Sequence, residues 1–248
     1  MNENYTLWCN TMNFIKNKYN KNIFNKFSKD SDYVAIIIEP RCHIHFESVL
    51  KNFASKLDNK WSLIIFHGNL NKKFIENIIG NNNNIKLVNL NVDNLTIYEY
   101  SDILLDINFW NNINSENILV FQTDCLLRKN IDNFLKYDYI GAPWKKKNKC
   151  IKITNSLVGN GGLSFRKKSA ILKILKLVDY KFKSNSSISE DIFYSMWMKK
   201  FNMNLPSSDK AELFSSEHIC NYECAGLHKT YHYLTKKELK KLIDFSYF

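Results

Sequence analysis

The sequence predicts an open α/β fold: a mixed, mainly parallel sheet flanked by helices, with an N-terminal helical extension. Three observations lead there. Continuous apolar runs alternate with segments of helical periodicity, the pattern of doubly covered strands joined by crossover helices. The runs end in polar, irregular residues, where open α/β sheets hold their ligands. With 248 residues, 45% of them hydrophobic and 14% aromatic, the chain has the material for a substantial core. Residues 1–30 are assigned to the extension and 31–248 to the main domain.

Each element follows from local pattern. Between Asn4 and Phe27, the apolar positions Leu7, Trp8, Met12, Ile15, Ile23 and Phe24 suit one or two amphipathic helices. Their polar face is asparagine with lysine, which favours packing on the main domain over a membrane-surface role. Tyr33 to Ile38 reads as a central strand, ended by Pro40. His45 to Leu57 reads as a helix with Phe46, Val49, Leu50 and Phe53 on one face. Trp61 to Phe66 is a second strand, closed by His67 and Gly68, and a helix follows over Lys72 to Ile79. Ile85 to Leu90 is a third strand, Tyr98 to Phe109 a helix, and Ile118 to Gln122 a fourth strand.

Three of the seven glycines fall between Val158 and Arg166. Such a cluster marks close approach of the backbone to something or a positive φ. Leu163 to Arg166 then alternates like a strand, and Lys167 to Leu177 has helical spacing. Glu190 and Asp191 open another helix, with Ser189 or Ser187 placed to cap it.

The formal charge of +11 and pI near 9.2 favour anionic partners. The densest basic run, Lys145 to Lys149, reads as a solvated loop. Six dispersed cysteines form no disulfide framework. No signal peptide or membrane span is apparent, so the expected location is the cytoplasm. No signature of a specific nucleic-acid reader appears.

Taken in order, Ile118 to Asp124, Tyr137 to Trp144, the Gly159-Asn160-Gly161-Gly162-Leu163-Ser164 block, Ser189 to Phe193 and Gly226 to Lys229 resemble a GT-A-type glycosyltransferase. More closely, they resemble a little-characterised branch of that superfamily found in giant DNA viruses and microbes. The resemblance runs from about Tyr33 to about Leu234. It implies a GT-A-like, Rossmann-type sheet and transfer of a hexose or N-acetylhexosamine to a glycan or glycoprotein acceptor. The donor would be a nucleoside-diphosphate sugar, UDP-linked by expectation, and the transfer inverting.

The resemblance also assigns roles. Asp124, with His228 as the late histidine, would hold Mn²⁺ or Mg²⁺ against the diphosphate; oxygen donors suit both ions. The family's usual Asp-x-Asp is Gln122-Thr123-Asp124 here, so the first carboxylate is missing. Asp191 is the expected general base, with Glu190 in support. The strand-end residues Glu39, Pro40, Arg41, His67, Gln122, Thr123 and Asp124 are the expected donor site. Asn160, Gly161, Gly162 and Trp144 are expected to meet the sugar or acceptor. Arg166 has a competing reading as the partner of a structural carboxylate. Cys220, Cys224, His228 and His232, spaced by four, offer a weak zinc alternative. Other classes remain: a nucleic-acid- or glycan-binding protein on a degenerate transferase fold, or a glycoside hydrolase using two carboxylates.

Overall fold

The structure is a computed structural model and describes residues 3–80, 82–145, 149–154, 156, 158–178 and 189–248. The strands form where the apolar runs predicted. β1 (Tyr33–Ile38), β2 (Trp61–His67), β3 (Ile85–Asn89) and β4 (Asn117–Phe121) pair in parallel in the order β3-β2-β1-β4. β7 (Leu163–Lys167) adds antiparallel to β4, and β6 (Tyr139–Gly141) closes the six-stranded sheet antiparallel to β7. The fold is therefore a mixed, mainly parallel open sheet. A second, three-stranded sheet joins β5 (Cys125–Leu127), β9 (Gly226–His228) and β8 (Ser215–Ser216) in the order β5-β9-β8.

Successive strand side chains point to opposite faces, so each strand feeds two cores. Ala35, Ile37, Leu63, Ile65, Leu119 and Phe121 face one side. There they meet α1 (Glu3–Lys18), α2 (Phe46–Lys56) and α3 (Lys72–Ile79). Val34, Ile36, Ile64, Phe66, Ile118 and Val120 face the other side. They meet α4 (Ile97–Leu105), α5 (Ile107–Asn111), α7 (Lys168–Leu177) and α8 (Glu190–Lys200); α6 (Lys149–Thr154) packs on α8, and α9 (Ser208–Phe214) on β6 and β8.

Two elements differ from expectation in detail. The helix expected from Tyr98 to Phe109 is two helices. Asp106 leaves helical geometry, and its carboxylate accepts from Asn108 N, capping α5. α4 begins with a capping box in which Thr96 and Glu99 satisfy each other's backbone N–H groups. The spacing Cys220, Cys224, His228, His232 does not lie on one helix: His228 belongs to β9, and α10 spans only Thr230–Tyr233. Among the described residues, Cys220, Cys224, His228 and His232 do not come together as a group of metal donors.

In the N-terminal segment, Trp8, Met12 and Ile15 of α1 are fully buried in the same core as α2 and the last helix, α11 (Lys236–Leu242). Lys51 Nζ of α2 donates to Lys16 O at 2.7 Å. None of the helices described is long and apolar enough to cross a membrane.

Because Trp8 is enclosed by this shared core, Trp8→Ala is expected to cost about 3–5 kcal/mol of stability. The shift in denaturant midpoint reads it directly. A loss below about 1 kcal/mol would show α1 to be an appendage.

Candidate functional site

Sheet register brings the glycine block to the carboxyl end of the parallel strands. Phe121, the last residue of β4, pairs with Leu163, the first of β7. Gly161 and Gly162 therefore sit beside the turn Gln122-Thr123-Asp124. The small sheet does the same for the late histidine. Cys125 pairs with His228, and Lys229 N donates to Asp124 O at 2.9 Å. Two hydrogen bonds stitch the turn through Cys125: Gln122 N donates to its sulfur, and its Sγ–H donates to Gly162 O at 3.1 Å.

His228 Nε2 lies 3.4 Å from Asp124 Oδ1, and its Nδ1 lies 3.6 Å from Glu217 Oε1. Among the described residues, Asp124 Oδ1 and both ring nitrogens of His228 are buried without a well-directed hydrogen bond. Burial alone would raise the Asp124 carboxyl pKa; the His228 and Lys229 charges outweigh it and hold the group below its ordinary value. Burial would lower the His228 pKa, and Asp124 and Glu217 outweigh it in the upward direction.

Asp124, Cys125 and His228 offer donor atoms within 4.8 Å of one another. The thiol is a poor member of that set, because burial and the charge of Asp124 push its pKa well above the ordinary value. The remaining oxygen and nitrogen, both orphaned, fit a hard or borderline divalent ion that keeps several water or phosphate ligands.

The glycines have a steric reason to be there. A Cβ on Gly162 would lie 2.2 Å from His228 Nε2. A Cβ on Gly161 would lie 2.3 Å from Glu190 Oε1 and 3.0 Å from Asp191 Cβ. The two-residue segment thus separates the Asp124–His228 pair from the start of α8. Asn160 secures it: its Oδ1 accepts from Gly162 N at 3.1 Å, and its Nδ2 donates to Glu217 Oε2.

Asp191 accepts from Gly161 N at 3.3 Å, from Ile192 N at 2.7 Å and from the Ser189 hydroxyl. Burial, with the neighbouring charge of Glu190, pushes its pKa up to about 6. Glu190 is differently placed. Its Oε1 takes Arg166 Nη2 at 3.0 Å, and both side chains are buried. The guanidinium lies among the rings of Tyr139, Trp110 and Tyr194 at 5.2–5.8 Å. Arg166 therefore takes its competing reading, and its partner is Glu190.

A cavity of about 300 Å³ opens beside Asp124. Glu39, Pro40, Arg41, Gln122, Thr123 and Asp124 line it, together with Lys229, Tyr100 and the Asn94-to-Ile97 turn. Arg41 is gripped by Glu39, through Nε at 2.7 Å and Nη2 at 2.8 Å. His67 does not line this cavity: its Nδ1 lies 2.7 Å from Gly68 O, within the strand end. Trp144 is also outside it, only 3% exposed and close over Gly159, and Asn160, Gly161, Gly162, Glu190, Asp191 and His228 do not line it either. Ser187 and Lys146 to Asn148 of the basic run lie outside the described residues.

Sequence reasoning missed Glu217, Tyr100, Lys229 and the Asn94-to-Ile97 turn. Glu217 follows a two-residue strand, and its only sequence signal is the polar run Ser215-Ser216-Glu217-His218 after Phe214. Lys229 had a signal: it adjoins His228, and it adopts φ +50° where the chain turns into α10.

The chain belongs to the DUF5672 family, described as proteins of unknown function, whose profile matches residues 84–230. That stretch holds Asp124, the glycine block, Glu190, Asp191, Glu217 and His228. No curated protein matches the chain. Among solved structures, it is similar to the glycosyltransferase GlyE of Streptococcus pneumoniae TIGR4, with TM-score 0.45 and 8% identity over 68% of this chain and 44% of that one. The apo form of that enzyme gives TM-score 0.44 and 9% identity over 68% and 43%. The chain thus spans less than half the length of the transferase it matches.

Removing one partner of a buried ion pair strands the other. Glu190→Gln is therefore expected to destabilise the protein by about 3–5 kcal/mol, seen as a lowered denaturant midpoint. An unchanged midpoint would mean that Arg166 finds its neutralising partner elsewhere.

Proposed function

We propose that the protein transfers a sugar from a nucleoside-diphosphate donor to a hydroxyl of a glycan or protein acceptor. One observation carries the reading. The Gly161-Gly162 backbone lies directly between an acidic group with base-like character, Asp191, and a divalent-ion donor pair, Asp124 with His228. The lined cavity adjoins that pair at the strand ends, where this fold class accepts ligands. The resemblance of the sequence motifs to GT-A enzymes points the same way.

Each residue then has a role its surroundings support. Arg41 and Lys229 supply positive charge at the cavity for a diphosphate, Arg41 in an orientation set by Glu39. Asp124 and His228 would hold Mn²⁺ or Mg²⁺, which when bound supplies charge stabilisation for the departing diphosphate. Gln122 replaces a first carboxylate with a neutral amide, so the ion would rely on this pair and on the donor's own oxygens. Gly161 and Gly162 let His228 and the first turn of α8 close on one segment of main chain beside the donor pair. Asp191 takes the proton from the acceptor hydroxyl as its oxygen attacks the anomeric carbon. A carboxylate raised to about 6 is still ionised at neutral pH and more basic than an exposed aspartate. Glu190 and Arg166 act through Asp191: the pair anchors the first turn of α8, and the Glu190 charge helps raise the pKa of the base.

The base must be ionised to act, so turnover should fall as pH drops through the titration of the Glu190–Asp191 pair. The expected acid limb of kcat/KM has an apparent pKa of about 6. Asp191→Asn should abolish turnover and leave donor binding intact. Normal turnover in that variant would reject the base assignment.

A thermal-shift screen of nucleotide sugars with and without Mn²⁺ tests the substrate class. A metal-dependent rise in Tm is expected with one nucleotide sugar, UDP-linked by expectation. No stabilisation by any nucleotide sugar, with salt-sensitive binding of random DNA instead, would favour the nucleic-acid-binding alternative.

A further inference from the structure

Asn71 stands just before α3, where an asparagine ordinarily caps the helix by accepting from an N–H of its first turn. Its side chain makes no such bond. It turns away from the helix and is fully buried. Oδ1 accepts from Gly68 N at 2.9 Å, while Nδ2 donates to Glu39 O at 2.8 Å and to Arg41 O at 3.0 Å. Both amide hydrogens are thus engaged by main-chain carbonyls, which also fixes which way the amide faces.

Those two carbonyls flank Pro40 in the turn Glu39-Pro40-Arg41, which lines the cavity. Gly68 presses on the same turn: a Cβ there would lie 2.7 Å from Pro40 Cβ and 2.6 Å from Val92 O. Asn69 N donates to Val92 O at 2.8 Å, and its Nδ2 donates to Asp93 Oδ1 at 3.0 Å. Asp93 leads directly into Asn94, where a second lining segment begins. The turn after β2 therefore grips both lining segments, although none of residues Gly68 to Asn71 lines the cavity itself. Arg41 is what this grip presents. Of its five N–H groups, Glu39 engages Nε and one on Nη2, and three remain for an anion. Their placement follows from where the main chain of Arg41 is held.

We propose that Asn71 is a positioning residue for anion binding: by holding the carbonyls on either side of Pro40, it sets the Arg41 guanidinium at the cavity for a diphosphate. α3 forgoes a side-chain cap, and the amide serves the cavity wall instead. The diphosphate rests on the glycosyl-transfer reading; the hold on the Arg41 turn does not.

Asn71→Ala removes all three bonds without adding charge. Inorganic pyrophosphate, titrated by calorimetry at low salt, is the probe, and its affinity should fall about 10-fold. A merely structural asparagine would lower the denaturant midpoint and spare pyrophosphate. A double-mutant cycle with Arg41→Ala separates the routes, because Lys229 still lines the cavity to bind the anion there. If Asn71 acts through Arg41, Asn71→Ala should change affinity by less than about 2-fold in the Arg41→Ala background. Equal losses in the two backgrounds, or wild-type affinity in the folded single variant, overturn the proposal. Should Asn71→Ala not fold, Asn71→Asp takes its place. The introduced carboxylate can still accept from Gly68 N or cap α3, but it has no hydrogen for either carbonyl. Its added charge is present in both backgrounds and cancels in the cycle. If the wild type binds no pyrophosphate, this role and the diphosphate reading of the cavity fall together; if it binds and Asn71→Ala binds equally well, this role alone falls.

Discussion

The site depends on backbone approaching where no side chain fits. Gly162 lets the His228 ring close on one side, and Gly161 lets the first turn of α8 close on the other. A methyl group at either position would push apart a histidine and a carboxylate that otherwise share one segment of main chain. Glycine costs conformational entropy in the unfolded chain. Here that cost is tolerated because the segment leads into β7, whose antiparallel pairing with β4 fixes it at the strand ends. The small sheet supplies the matching constraint, since the Cys125–His228 register sets Asp124 beside the ring.

Behind this seat lies a buried charge network. Arg166 projects from β7 into the layer under α8, where it meets Glu190 and three aromatic rings. A buried ion pair contributes little net stability, but losing one partner is costly. Its effect here is to fix the start of α8. Asp191, one residue on, is thereby held against Gly161 N beside a like charge. The acid that pairs with Arg166 and the acid whose pKa is raised are neighbours in sequence, told apart by the partners each side chain meets.

Much of the architecture was legible in the sequence because parallel strands covered on both faces leave unbroken apolar runs. Tyr33 to Ile38 and Trp61 to Phe66 are such runs, and their boundaries agree with the structure to within a residue. The break at Asp106 was not legible, since aspartate caps a helix only if the chain leaves helical geometry there. The glycine block, Asp124, Asp191 and His228 were legible as motifs, and the β4–β7 register, the β5–β9 register and the start of α8 bring them beside one another. Glu217 was not, because its meaning comes from a two-residue strand and from partners 57 and 11 residues away. Nor could residue types distinguish Glu190 from Asp191. The distinction lies in the position of Arg166.

The central claim is spatial: the Asp124–His228 donor pair and Asp191 lie on either side of the glycine segment. Paramagnetic broadening by Mn²⁺ tests it most directly. In an amide-resolved NMR spectrum, substoichiometric Mn²⁺ should selectively bleach Gly161, Gly162, Asp191, Glu217 and His228, and spare the amides of α3 and α11. Bleaching centred elsewhere, or no selective bleaching at all, would contradict the account.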